Sequence, residues 1–207
     1  MKKLLVITAL LSLPMLAIAG PISATELLNN GSFESNLQGA SSWKIYSSLT
    51  GWTAAAGGIE LRNQVAGNAA DGSNFVELDT TGNSSISQQF ATVVGQTYNL
   101  SFAYAERAGV AASSNGISWS AGNVSNSIFG QDTNTNWTVM NTSFVATDVL
   151  TTLRFSAVGT SDGYGTSLDA VSVIQAVPEP ASFSLLLAGL SACAFVSRKR
   201  RANLDKA

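Results

Sequence analysis

The stretch Tyr98-Asn99-Leu100-Ser101-Phe102-Ala103-Tyr104 places a large apolar or aromatic side chain at every second position. That period of two limits the architectures open to the chain. Successive side chains of an extended strand point to opposite faces, so Tyr98, Leu100, Phe102 and Tyr104 share one face that has to be covered. The pattern recurs at Asn74–Asp79, at Ile86, Gln88 and Phe90, at Ile117-Ser118-Trp119, and along Trp137–Val145, Leu153–Val158 and Leu168–Val173. Turn-forming pairs separate these runs: Asp71-Gly72, Gly82-Asn83, Gly95-Gln96, Asn115-Gly116, Gly122-Asn123 and Asp162-Gly163. The sequence therefore predicts an all-β sandwich of roughly eight to ten strands. No amphipathic helical window stands between the runs, which argues against a parallel βαβ fold.

Both ends differ from this middle. Lys2 and Lys3 precede an apolar run, Leu4–Leu16, and the small residues Ala17-Ile18-Ala19-Gly20. Basic flank, short apolar core and small-x-small site predict a signal peptide over 1–19, with a second cleavage position after Ala24. The run falls short of the roughly 20 residues a spanning helix needs. At the other end Val177-Pro178-Glu179-Pro180 breaks regular structure, because two prolines remove two backbone donors. The uncharged apolar segment 181–197 and the basic tail 198–207, with Arg198-Lys199-Arg200-Arg201, follow. A transmembrane helix over 181–197 would leave the basic cluster in the cytoplasm and the preceding domain outside.

Between the ends, residues 25–176 have the length of one domain. Four basic residues (Lys44, Arg62, Arg107, Arg154) face eleven acidic ones, a net charge of −7. Such a domain repels nucleic acid and anionic lipid and tolerates a divalent cation. The single cysteine, Cys193, lies in the apolar tail, and the chain has no histidine. The domain thus has no disulfide, and both the commonest general base and the favoured zinc ligand are missing.

Pro178-Glu179-Pro180, an apolar segment and the terminal Arg198–Arg201 cluster together resemble the PEP-CTERM sorting signal. The resemblance implies a membrane protease, exosortase, that cuts near Pro-Glu-Pro, transient residence in the inner membrane, and a Gram-negative host that makes exopolysaccharide. The expected destination is the cell surface or extracellular space. An ordinary tail anchor is the competing reading, and whether the tail is cleaved or retained stays open.

The middle carries a second resemblance. Asn29-Asn30-Gly31-Ser32-Phe33-Glu34, Gly51-Trp52, Asp71–Asp79, Gly95-Gln96-Thr97-Tyr98-Asn99-Leu100-Ser101-Phe102 and Leu168-Asp169-Ala170-Val171 occur in an order similar to that of DUF642-like and carbohydrate-binding-module sandwiches, the galactose-binding jelly rolls. That likeness implies a structural Ca²⁺ joining the first and last strands. Glu34 and Asp169 occupy the matched positions, with backbone carbonyls near Asn30 and Ser32. Calcium takes six to eight oxygens and needs no histidine. The competing reading leaves Glu34 exposed and makes Asp169 a turn cap.

The likeness also implies a sugar site, on a concave sheet or at end loops. Such sites need flat aromatics and hydroxyl-binding polar groups. Trp43, Tyr46, Trp119 and Trp137 are the candidate aromatics, and Glu60, Arg62, Asn63 and Gln88 the polar partners. Any one tryptophan can equally be core, and Trp52 is read as core. Three functions compete: a non-catalytic surface or matrix protein bound to exopolysaccharide or biofilm, an interaction module without a glycan ligand, and a glycoside hydrolase. Glu60, Glu77 and Asp79 offer a nominal carboxylate pair for the last. No nucleophile motif accompanies them, so the expectation is a non-enzyme.

Overall fold

The computed structural model describes residues 25–130, 136–176 and the helical residues 186, 188–191 and 193–194. The signal peptide (1–19), the Pro-Glu-Pro motif (177–180) and the basic tail (198–207) lie outside the described residues. Among the described residues no helix is long and apolar enough to cross a membrane.

The chain folds into twelve strands: β1 Ser42–Tyr46, β2 Ser48–Leu49, β3 Trp52–Ala54, β4 Ile59–Asn63, β5 Asn74–Glu77, β6 Ser85–Ala91, β7 Thr97–Ala105, β8 Gly116–Ala121, β9 Val124–Phe129, β10 Thr138–Val145, β11 Leu150–Ala157 and β12 Ser167–Gln175. They form two six-stranded sheets, sheet A in the order β1-β4-β5-β12-β7-β10 and sheet B in the order β2-β3-β6-β11-β8-β9. Every pairing between named strands is antiparallel. Chain neighbours repeatedly alternate between sheets, which gives the expected jelly-roll sandwich.

The alternation does what period two requires. Tyr98, Leu100 and Phe102 of β7 are buried between the sheets, while Asn99 and Ser101 point outward. Phe102 meets Phe155 of β11 at 4.9 Å and Trp119 of β8 at 5.1 Å between ring centroids, both edge-on, the arrangement the ring quadrupoles favour. Trp52 closes the other end against Phe33 at 5.6 Å and Phe155 at 6.4 Å. Its indole Nε1 donates to the Asn30 carbonyl at 3.0 Å, so its one polar atom is satisfied.

The N-terminal segment is tied to the last strand. Leu27 N–H donates to Val173 O, and Val171 N–H to Gly31 O. Gly31 is there because of close approach: a Cβ would stand 1.9 Å from the Val171 carbonyl oxygen. β12 bulges at this point, with its register shifting between Asp169 and Ser172 and Ala170 at φ +48°. A bulge re-aims the neighbouring side chain, and here that side chain is Asp169.

Candidate functional site

Cross-strand register assembles a polar cluster on the face of sheet A turned away from the core. Trp43 lies opposite Arg62, and Arg62 opposite Phe75. One pleat away, Glu60 lies opposite Glu77, and Glu77 opposite Ser167. Residues directly opposite project to the same side, so Trp43, Glu60, Arg62, Phe75 and Glu77 share this face. The intervening Leu61, Val76 and Leu168 fill the core.

Arg62 is the hub. It is only 1% exposed, yet its Nε donates to Glu60 Oε1 at 2.6 Å and its Nη2 to Glu77 Oε2. Its Nη1 is buried without a hydrogen-bond partner. Arg107 reaches Glu77 Oε2 from beyond the end of β7 at 3.2 Å, and its guanidinium lies 4.5 Å over the ring of Tyr164. The Gly165 N–H donates to Glu77 Oε1 at 2.7 Å. Removing these charges from water is costly, and only mutual pairing makes it tolerable. Burial pushes the Glu77 carboxyl up to about 7, although Arg62 and Arg107 both pull it down.

The segment between β4 and β5 is fastened to this face by two acids. The Asp169 carboxylate accepts the Ala70 and Asp71 N–H groups at 2.8 and 2.9 Å, and its own neighbour Ala170 at 2.6 Å. Glu34 Oε1 accepts the Ser73 and Asn74 N–H groups at 2.7 and 2.6 Å. Asp169 is fully buried and Glu34 exposed. Burial raises the Asp169 carboxyl to about 7 against the opposing pull of those amides. Trp137 closes the other side of the loop, edge-on to Phe75 at 5.8 Å, with its Nε1 donating to Asn68 O at 2.8 Å.

Of the residues singled out in the sequence, Trp43, Trp137, Glu60 and Arg62 therefore meet on one face. Trp43 is 54% exposed at the open end of this row. Trp119 takes no part: it is buried in the core against Phe102. Gln88 sits in sheet B and exchanges two hydrogen bonds with the Asn29 backbone. Asn63 donates to Gln38 O, and the Tyr46 hydroxyl to Gln38 Oε1. Phe75 and Tyr164 join the site without having been among the sequence candidates, and Arg107, which the sequence offers with Glu106 as an ion pair or a ligand-facing element at the end of the Tyr98 strand, pairs with Glu77. A signal existed for Phe75, since it alternates with Val76 and Leu78 and so pointed to burial on a second face.

For the proposed calcium ligands, the carboxylate oxygens of Asp169 and Oε1 of Glu34 already accept backbone N–H groups. The Asn30 carbonyl accepts Trp52 and Phe33, and the Gly31 carbonyl accepts Val171. Among the described residues no three His, Cys, Asp or Glu side chains come together as a metal-binding group.

The family model for DUF642, a protein of unknown function, matches residues 26–174. The chain belongs to the DUF642 family. A PEP-CTERM protein-sorting motif follows over 176–201, which makes this an exported surface protein. No curated protein matches the chain. Among solved structures, a Stig cyclase from Fischerella sp. TAU aligns at 14% identity with a TM-score of 0.55, over 76% of this chain and all of that one. An arabinose-bound α-L-arabinofuranosidase aligns at 16% identity and TM-score 0.50, over 72% of this chain but only 26% of its own. A family 35 carbohydrate-binding module from Clostridium thermocellum aligns at 19% identity and TM-score 0.44, over 65% of this chain and 99% of that one. At these identities the likeness is one of fold.

The raised carboxyls give this DUF642 domain an unusual pH response. A carboxyl with a raised folded-state value binds its proton more tightly folded than unfolded, so folding is favoured at low pH and that advantage is lost as pH rises through about 7. With no histidine in the chain, Glu77 and Asp169 dominate side-chain titration in that window. In EDTA the melting temperature is expected to fall between about pH 5.5 and about pH 8. The fall should be smaller in Asp169→Asn. A flat or rising profile by differential scanning calorimetry contradicts this.

Proposed function

We propose that this protein is a non-catalytic, glycan-binding surface module that takes a polysaccharide on the outer face of sheet A. The observation that carries the reading is the convergence of Trp43, Trp137 and Tyr164 around the Glu60–Arg62–Glu77–Arg107 network. Flat rings give a sugar its stacking surface, and Arg107, whose side chain is 21% exposed beside Tyr164, offers hydroxyls a partner at the rim, while the buried Arg62 and Glu77 only hold it in place. Each charged group is held by the next, so little side-chain entropy remains to be lost on binding.

The same geometry speaks against hydrolysis. Glu77 is fully buried, with both carboxylate oxygens engaged. Asp79 is fully buried too, and its Oδ2 accepts the Asp162 and Gly163 N–H groups at 3.0 and 3.1 Å. Neither stands where it can protonate a glycosidic oxygen or attack an anomeric carbon.

Trp43→Ala is the direct test, because an exposed residue on an edge strand can be removed without opening the core. Titration with the producer's own exopolysaccharide is expected to show binding weakened roughly tenfold, the scale of a lost aromatic anchor, with an unchanged melting temperature. Absence of binding by the unaltered protein, or full binding by Trp43→Ala, refutes the site.

Two finer readings accompany this one. The tail is proposed to serve an exosortase-type protease after export through a signal peptide. Mass spectrometry of the surface-held protein should then show a chain that ends before Arg198–Arg201, and an intact tail rejects the step. Structural calcium held by Glu34 and Asp169 would have to share these carboxylates with the loop amides they already bind. A melting temperature higher in millimolar calcium than in EDTA supports the ion, and identical values remove it.

A further inference from the structure

Sandwich folds expose four sheet edges, and natural proteins guard them with lysines, prolines, bulges or very short strands, because an unpaired ladder recruits another chain. Three edges here are guarded or poorly suited to a second copy. β1 carries Lys44, and β2 has two residues. At β10 the Asn123 side chain caps the Val145 N–H at 2.9 Å, and the strand borders a sheet whose outer face carries carboxylates. β9 is different. Its sequence, Val124-Ser125-Asn126-Ser127-Ile128-Phe129, shares with β10 the lack of charge and proline, and among the described residues no side chain from another strand caps its outward groups.

The hydrogen-bond phase of β9 follows from its turn. Gly122-Asn123 closes on the pair Ala121–Val124, and hydrogen-bonded and non-hydrogen-bonded pairs alternate from there. Val124, Asn126 and Ile128 therefore turn their backbone groups toward β8. Ser125, Ser127 and Phe129 turn theirs away. Two observations agree with this phase: Gly130 N–H donates to Asn115 O, and Ser127 N–H donates outward to its neighbour's Asn126 Oδ1 at 2.8 Å. Phe129 is 59% exposed beside this row.

We propose that β9 pairs antiparallel with β9 of a second copy of this chain, about a two-fold axis at Ser127. The outward groups are evenly spaced around Ser127, so Ser127 meets its own counterpart while Ser125 and Phe129 exchange partners. Every outward N–H and C=O then finds a mate, and the arrangement is isologous and closed. Charge favours a second copy at this place. The domain carries −7, but β6, β8, β9 and β11 contain no acidic residue, and the row beside the edge reads Ser87, Arg154, Ser120 and Ser125. Among the described residues these four strands bring no opposing carboxylates to the contact. The weak plug is the Asn126 amide, which swings off the Ser127 N–H as the strands join. This pairing does not depend on glycan binding.

Disulfide trapping in the full chain tests it. Directly opposed residues of an antiparallel pair lie about 5.5 Å apart between Cα atoms, inside the roughly 4.4–6.8 Å a disulfide spans. In a Cys193→Ser background, Ser127→Cys is expected to give a covalent dimer under mild oxidation, several-fold above Ser120→Cys on the neighbouring strand. Adding Ser125→Pro to Ser127→Cys removes one outward N–H and leaves the β8 pairing whole, so the dimer yield should fall while the melting temperature holds. Equal yields at positions 127 and 120, no dimer from Ser127→Cys, or a yield indifferent to Ser125→Pro overturns the proposal.

Discussion

Phe102 packs against Phe155 and Trp119 across the gap between the sheets, and the remaining structure depends on that contact. The single cysteine is in the tail, so the domain has no covalent clamp, and each sheet is stable only because the other covers its apolar face. Burying an aromatic ring is worth about 1.5–3 kcal/mol relative to leaving it in water. Phe33 and Trp52 extend this ring cluster through Phe155, and Phe90, Phe144 and Tyr98 form a second aromatic group in the core. A rigid sheet is also what lets cross-strand register place distant side chains side by side.

Sheet A has the harder task because part of it is covered twice. All five residues of β4 and all four of β5 are buried. The core takes one face, and the loop gripped by Glu34, Asp169 and Trp137 shields part of the other. Charges trapped on that second face must neutralise one another, which explains why Arg62 bridges two carboxylates and why Arg107 adds a second cation to Glu77. The result is a set of polar groups frozen before any ligand arrives. Mobile surface charges would have to be ordered at a cost on binding; these are ordered by folding.

How far the sequence could be read follows from which faces were covered. β7, β11 and β12 declare themselves because one face is core and the other polar. β4 does not, because Ile59-Glu60-Leu61-Arg62-Asn63 is buried on both faces and its polar residues look like a solvated surface. β9 does not either, since its serines and asparagine give no apolar rhythm. The four tryptophans show the same limit. Trp52, read as core, and Trp119, which alternates with Ile117 yet was a sugar-site candidate, are both buried in the core, whereas Trp43 and Trp137 belong to the outer face. Glu34 and Asp169 stand out in the sequence as calcium ligands joining the first and last strands; in the structure both accept backbone amides of the loop leading into β5, and Asp169 lies buried while Glu34 is exposed.

The sequence by itself determined the class of fold and the chain's address. Alternation with period two is a local property of each strand, and the sorting motif is a contiguous stretch. Only the tertiary structure decided which strands became neighbours, that Arg62 would lie between Glu60 and Glu77, and which strands became the sheet edges. Those outcomes depend on pairings between residues far apart in the chain. A shift of one residue in any such pairing would send every side chain of that strand to the opposite face.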